Sequence, residues 1–208
     1  MLNLTKTGEK SVVLHTLSPE FGRRSFIASV GKGVGMALFL PMNILDAEII
    51  ENSKSDLWRL RNISSSHPLG GIRNNIHKNT MTMFMSEVLY RTLKDGANED
   101  GLFDWCKRSI LTLDAMESDF SNFHLRFLLE LAVVLGFSPS SMDIAPFAGQ
   151  QLKHITALLE SSFGEAMLLP LNGRQRNAIA EALIEYIGFH SESHIEVRSL
   201  KVLGELYK

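Results

Sequence analysis

The most informative run of apolar positions lies between Ser121 and Pro139, Ser-Asn-Phe-His-Leu-Arg-Phe-Leu-Leu-Glu-Leu-Ala-Val-Val-Leu-Gly-Phe-Ser-Pro. At helical spacing Phe123, Phe127, Leu128, Leu131, Val134 and Leu135 cover one side. Leu125, Leu129, Ala132 and Val133 cover much of the rest. A helix that is apolar nearly all round sits inside a bundle. Arg126 and Glu130, with a length of roughly 22 Å, argue against a membrane span. Ser121 is expected to cap the helix start. Gly136 is expected to end it in the left-handed conformation, with Pro139 beyond.

Upstream the period is different. Ser11 to Leu17, Arg24 to Val30, Met42 to Ile50 and Leu57 to Ile63 alternate or are β-branched-rich, and Gly31 to Gly35 reads as a glycine turn. Several short strands in so short a stretch predict a small barrel, with a core too thin to stand without a neighbour. Ser64 to Asn75, with Pro68 and Gly70-Gly71, has linker composition. After it the pattern is helical: Ile76 to Lys94, Leu102 to Met116, the central helix, Gln150 to Phe163 ended by Gly164, an Asn172-capped helix to Gly188, and Glu196 to Leu206. Ser138 to Gly149 reads as a loop. The fold class is α+β. Residues 1–68 are expected to form a small β-barrel, complete or incomplete, and residues 69–208 an all-helical C-terminal domain.

Composition narrows the function. The chain has 208 residues, 45% hydrophobic and 21% charged, which describes a globular protein rather than a disordered one. Its formal charge of -2 gives no global basic field. The single cysteine, Cys106, excludes an internal disulfide and a cysteine-rich zinc site; on an apolar helix face it reads as a small buried hydrophobe. Arg23-Arg24-Ser25-Phe26-Ile27 has the look of a twin-arginine export signal. Lys32 breaks the apolar run behind it, and Asp46-Ala47-Glu48 makes a poor cleavage site. A cytoplasmic chain without a membrane segment is expected.

No catalytic constellation stands out. His190, His194 and Glu196 would offer metal ligands on one face if helical, and otherwise form a solvated loop. Gly31 to Gly35 lacks the Gly-Lys-Ser/Thr ending of a phosphate-cradling loop. Neither an enzyme nor a cofactor or metal is expected. Three binding features remain. Arg23, Arg24 and Lys32 are either a phosphate-tracking rim or ordinary solvated charges. Trp58, beside Arg59 and Arg61, is either a stacking platform or a core residue. Arg126 pairs with Glu87, Asp119 or Glu130, or it edges a pocket for an acidic peptide end.

Together these residues carry a resemblance. Thr5-Lys6-Thr7-Gly8, Val13-Leu14-His15-Thr16, Phe21-Gly22-Arg23 with Ser25-Phe26, and Leu38-Phe39-Leu40-Pro41 come first. The run from Phe84 to Leu93, Phe120 to Phe127, Leu135-Gly-Phe137 with Pro139, Arg176-Asn177 and Ser199 to Leu206 follow. In this order the chain resembles the RecO family of recombination mediators, in the form found among the Bacteroidetes. The resemblance implies an N-terminal OB-fold and a helical C-terminal domain. It implies binding of single- and double-stranded DNA, strand annealing, contact with the acidic C-terminal tail of single-strand-binding protein, and cooperation with RecR in loading the recombinase. It puts Arg23 beside the DNA-facing barrel and Lys32 in a turn that is usually basic; with the pattern of charges, the expected DNA rim is Arg23, Arg24 and Lys32, with the barrel face assisted by Arg59 or Arg61. It puts the partner tail on Phe103, Leu125, Arg126, Leu131 and Leu135. A strand pair usual between Leu17 and Glu20 is missing, the basic turn keeps one lysine, and the zinc-binding cysteines are absent. A second expectation is therefore a helical interaction module that binds partner tails and has lost DNA binding. A third, from another class, is a metal hydrolase using His190 and His194.

Overall fold

The computed structural model describes residues 1–31 and 35–206. Lys32, within the glycine turn, lies outside the described residues.

Five strands form one sheet: β1 (Asn3–Lys6), β2 (Ser11–Ser18), β3 (Gly22–Ser29), β4 (Leu45–Ile50) and β5 (Trp58–Ser65). Their order is β1-β2-β3-β5-β4. Only β3 and β5 run parallel; the other pairs are antiparallel. This is the strand order of an OB-type barrel, but the sheet is not closed: among the described residues β1 and β4 share no ladder. β2 and β3 form a direct hairpin in register from Ser11↔Ser29 to Ser18↔Gly22. The strand pair that the resemblance leads one to miss is therefore not needed for the five-strand order. The short β1 was not separately legible, since four residues carry too little pattern. The Arg23-Arg24 run lies within β3, as sheet rather than as the head of an apolar leader.

The sheet encloses a small core of Val12, Leu14, Phe26, Ala28, Leu60 and Ile63, plugged by Phe39 from a 3-10 turn at Met36–Phe39. Leu2, Leu17 and Met42 belong instead to the large helical core. A core of this size gains stability by sharing surface with its neighbour.

The helices are α1 (Gly70–Arg73), α2 (Ile76–Thr92), α3 (Leu102–Ala115), α4 (Phe123–Val134), α5 (Ser141–Ala148), α6 (Leu152–Glu160), α7 (Phe163–Leu168), α8 (Gly173–His190) and α9 (Ser199–Leu206). The central α4 buries eight of its residues, from Phe123 to Ala132. It ends as its glycine predicts. Gly136 has φ of 86°, and the Gly136 and Phe137 amides donate to Val133 and Ala132. Its start differs from expectation: the cap position is Asn122, and no side chain caps it. The Asn122 amide is used elsewhere. Its Nδ2 donates to Ala166 and Leu169 carbonyls, both at 2.9 Å, and its Oδ1 accepts from Arg176 Nε at 2.8 Å.

Two other expectations are corrected. The segment read as a loop after Pro139 contains α5, nucleated by a capping box between Ser140 and Asp143, with Pro146 inside it. The helix expected from Gln150 to Phe163 stops at Glu160. A second capping box, Ser162 with Glu165, restarts the chain as α7, so Gly164 sits inside a helix. Asn172 caps α8 as expected, in a box with Gln175. Cys106 is buried, and burial pushes its thiol up to about 11.

Sheet and helices meet where β3 begins. Arg23 N–H donates to Ala97 O and Gly96 N–H to Arg23 O, each at 2.8 Å. Gly22 has φ of 56°, and a Cβ there would lie 2.1 Å from Ala97 O. Glycine is required twice over, by the backbone conformation and by the contact.

Candidate nucleic-acid interface

Alternation along β3 puts Arg24 on the same face as Phe26. The parallel pair Phe26↔Trp58 then sets Trp58 of β5 beside it. The Arg24 guanidinium carbon lies 3.6 Å from the centre of the Trp58 ring and 5.6 Å from that of Phe21. Phe21 meets Trp58 edge-on at 5.4 Å. One Arg24 amino group also donates to Asp56 O at 3.3 Å. Arg24 and Trp58 are both half-buried. A cation placed over an aromatic ring gains about 0.5–2 kcal/mol.

Arg59 and Arg61 flank the inward-facing Leu60 on β5 and are exposed. Arg59 donates to Ser29 Oγ at 3.3 Å. Among the described residues Arg24, Arg59 and Arg61 form no salt bridge. Asp46 and Glu48 on β4 and Asp56 before β5 keep the local field mixed. The sheet thus presents Arg24 on its aromatic plate on one side, and the exposed Arg59 and Arg61 on the other, without a large positive potential.

Arg23 is turned the other way. It is only 6% exposed, ion-paired with Asp95, and lies 5.0 Å from the Tyr90 ring centre. Burial lowers its pKa, and the Tyr90 side chain opposes that. It lies at the sheet–helix junction instead of on an open rim, because position 23 faces the side of the sheet opposite to Arg24. Nearby, Thr5, His15 and Ser25 form a hydrogen-bonded row, with the His15 ring 5.0 Å from that of Tyr90. Burial, then the Arg23 charge, lowers the His15 pKa. Phe21, Tyr90 and Asp95 were not singled out from the sequence. For Phe21 the Phe-Gly-Arg signal was present, while Tyr90 and Asp95 join the site only through the tertiary contact.

The five helical positions do not line one pocket. Leu125 and Leu131 are fully buried in the core. Half-buried Phe103 lines an apolar cavity of about 160 Å3 between the sheet and α3, which Phe26, Met42, Cys106 and Ile110 also line. Leu135 lines a separate cleft with Phe137 and His190. Arg126 takes the structural pairing weighed for it: Nε binds Glu130 Oε1 at 2.8 Å, and one amino group reaches the carbonyls of Leu158 and Ser161, closing the end of α6. Glu130 also accepts from Trp105 Nε1 at 3.1 Å, and Trp105 stacks on Phe127. His190 packs against Phe137, Tyr186 and Phe189. Among the described residues no three His, Cys, Asp or Glu side chains gather as metal ligands, and no helix is long and apolar enough to cross a membrane.

Residues 73–145 match the family model described as Recombination protein O C terminal. Curated relatives extend the similarity across the chain. A DNA repair protein RecO of Phocaeicola vulgatus is 28% identical, over 94% of this chain and 97% of its own. Proteins of the same name from Flavobacterium johnsoniae and Bacteroides fragilis are 27% and 25% identical, over 100% of this chain and 96% of theirs.

Proposed function

We propose that this chain, homologous to the RecO DNA repair proteins along nearly its whole length, is itself a DNA-binding accessory protein of recombinational repair that acts by binding rather than by catalysis. The observation that carries the reading is the Arg24–Trp58 stack of an OB-ordered sheet, with Arg59 and Arg61 exposed on the other side of β5. Such a surface suits single-stranded DNA. Phosphates meet the guanidinium groups, and a base adds to the stack, which is worth roughly 1–3 kcal/mol per base. Lys32 extends the same basic set along the chain. The resemblance supports the finer roles: annealing of complementary strands, contact of the helical domain with the acidic tail of single-strand-binding protein, and recombinase loading together with RecR.

The test uses tryptophan fluorescence. The chain has two tryptophans, and Trp105 is buried. In a Trp105→Phe background, an oligo-dT strand quenches the emission of Trp58. No quenching at low salt, with binding absent by anisotropy, would remove the DNA reading. A labelled acidic tail peptide, titrated in parallel, tests the partner role of the helical domain; binding without any DNA binding would favour the interaction-module reading.

A further inference from the structure

A cleft of about 340 Å3 opens beside the Arg24–Trp58 stack, between the start of β3 and the loop joining α2 to α3. Phe21, Arg23, Arg24, Ser25, Asp95 and Gly96 are among its lining residues. Arg23 brings a buried guanidinium to this cleft. Its only salt-bridge partner among the described residues is the Asp95 carboxylate, and its Nε has no hydrogen-bond partner. The asymmetry of the pair is informative: the side chains are 8% and 77% exposed. The cation is fixed by β3 and the two backbone hydrogen bonds to the loop. The carboxylate stands at the solvent side and returns to water at small cost.

A carboxylate and a phosphate present the same two-oxygen edge to a guanidinium fork. We propose that Arg23 and Arg24 form one subsite for a nucleic-acid backbone phosphate, and that Asp95 occupies and closes this subsite when no strand is bound. The inference rests on the DNA-binding reading above and assigns its regulation. A bound strand displaces Asp95 and gains a phosphate contact on Arg23, and its next base lies against the Arg24–Trp58 stack. Asp95 thereby holds affinity down and admits only a ligand that supplies its own anion at this point. It also ties strand binding to the loop between α2 and α3.

The experiment is anisotropy of a labelled oligo-dT strand over a sodium chloride series, with the full chain and its Asp95→Asn, Asp95→Glu and Glu99→Gln variants. Glu99 is an exposed acid of the same loop that lies outside the cleft. The expected result is about fivefold tighter binding by Asp95→Asn. Its plot of log affinity against log salt steepens by about 0.7, the increment for one added single-strand phosphate contact. Asp95→Glu keeps the wild-type slope, and Glu99→Gln stays within about twofold of wild type with an unchanged slope. Wild-type binding with Asp95→Asn indistinguishable from Glu99→Gln, or weaker than it, overturns the gated subsite and leaves the DNA reading intact. Absence of binding by every form overturns both.

Discussion

Asn122 offers a quantitative test of how the helical domain is held together. Its side chain is buried, donates to the Ala166 and Leu169 carbonyls at the end of α7, and accepts from Arg176 on α8. Asn122→Ala deletes two neutral hydrogen bonds, at about 1 kcal/mol each net, and one to a charged donor, at about 1.5–3 kcal/mol. Leu169 and Arg176 are only half-buried, so water recovers part of the loss. The expected cost is about 3 kcal/mol, or roughly 6–12 °C in Tm for a chain of this size. Asn122→Asp separates the two halves of the network. Aspartate still accepts from Arg176 but turns a carboxylate toward the α7 carbonyls, so it should be no more stable than the alanine variant at pH 7. Urea denaturation followed by circular dichroism gives both values. A cost below about 1 kcal/mol for Asn122→Ala, or wild-type stability for Asn122→Asp, would refute the network as drawn.

His124 is buried against Phe84, and burial, then the Arg176 charge, lowers its pKa to about 3. The folded state keeps it neutral while the unfolded chain protonates it below about 6.5, so its contribution is intact above that pH and lost as pH falls toward 3. The slope is roughly 1.4 kcal/mol per pH unit, and denaturation of His124→Gln between pH 6.5 and 4 should show one proton less of pH dependence. Gly22→Ala should cost about 2–4 kcal/mol, because a side chain there meets Ala97 O and sits in the left-handed region. A denaturation midpoint within error of wild type would contradict that close contact between sheet and helices.

The sequence revealed most where a pattern repeats. The long apolar run made α4 a buried helix, and Asn172 and Gly136 marked real boundaries. Cys106 proved to be core, and the residues of β2, β3 and β5 were recognisable from alternation and branching. Short elements were lost, because β1, α5 and α7 rest on local capping boxes or a few backbone hydrogen bonds rather than on a period. The site was half legible. Strand register brings Arg24 to Trp58 on the side of the sheet that carries Phe26 and Leu60, and turns Arg59 and Arg61 to the opposite side. Arg23 separates from Arg24 because neighbouring residues of a strand face opposite sides, a parity that fixes its side but not what covers it. The buried Leu125 and Leu131 show the same limit: a helix apolar all round does not declare which residues reach the surface. Asn122 looked like part of a helix start, and its true partners lie more than forty residues away.

The central claim is that Arg24, Arg59 and Arg61 of β3 and β5 hold DNA, and a salt series with the Arg24→Ala, Arg59→Ala, Arg61→Ala triple variant addresses it most directly. Each phosphate contact on a single strand contributes about 0.7 to the slope of log affinity against log salt. The triple variant should lose about 2 from the wild-type slope and bind at least tenfold more weakly at low salt, while loss of the Arg24–Trp58 stack lowers its melting point by only a few degrees. A variant that binds with the wild-type affinity and slope would contradict it, and would move any DNA contact away from these three residues.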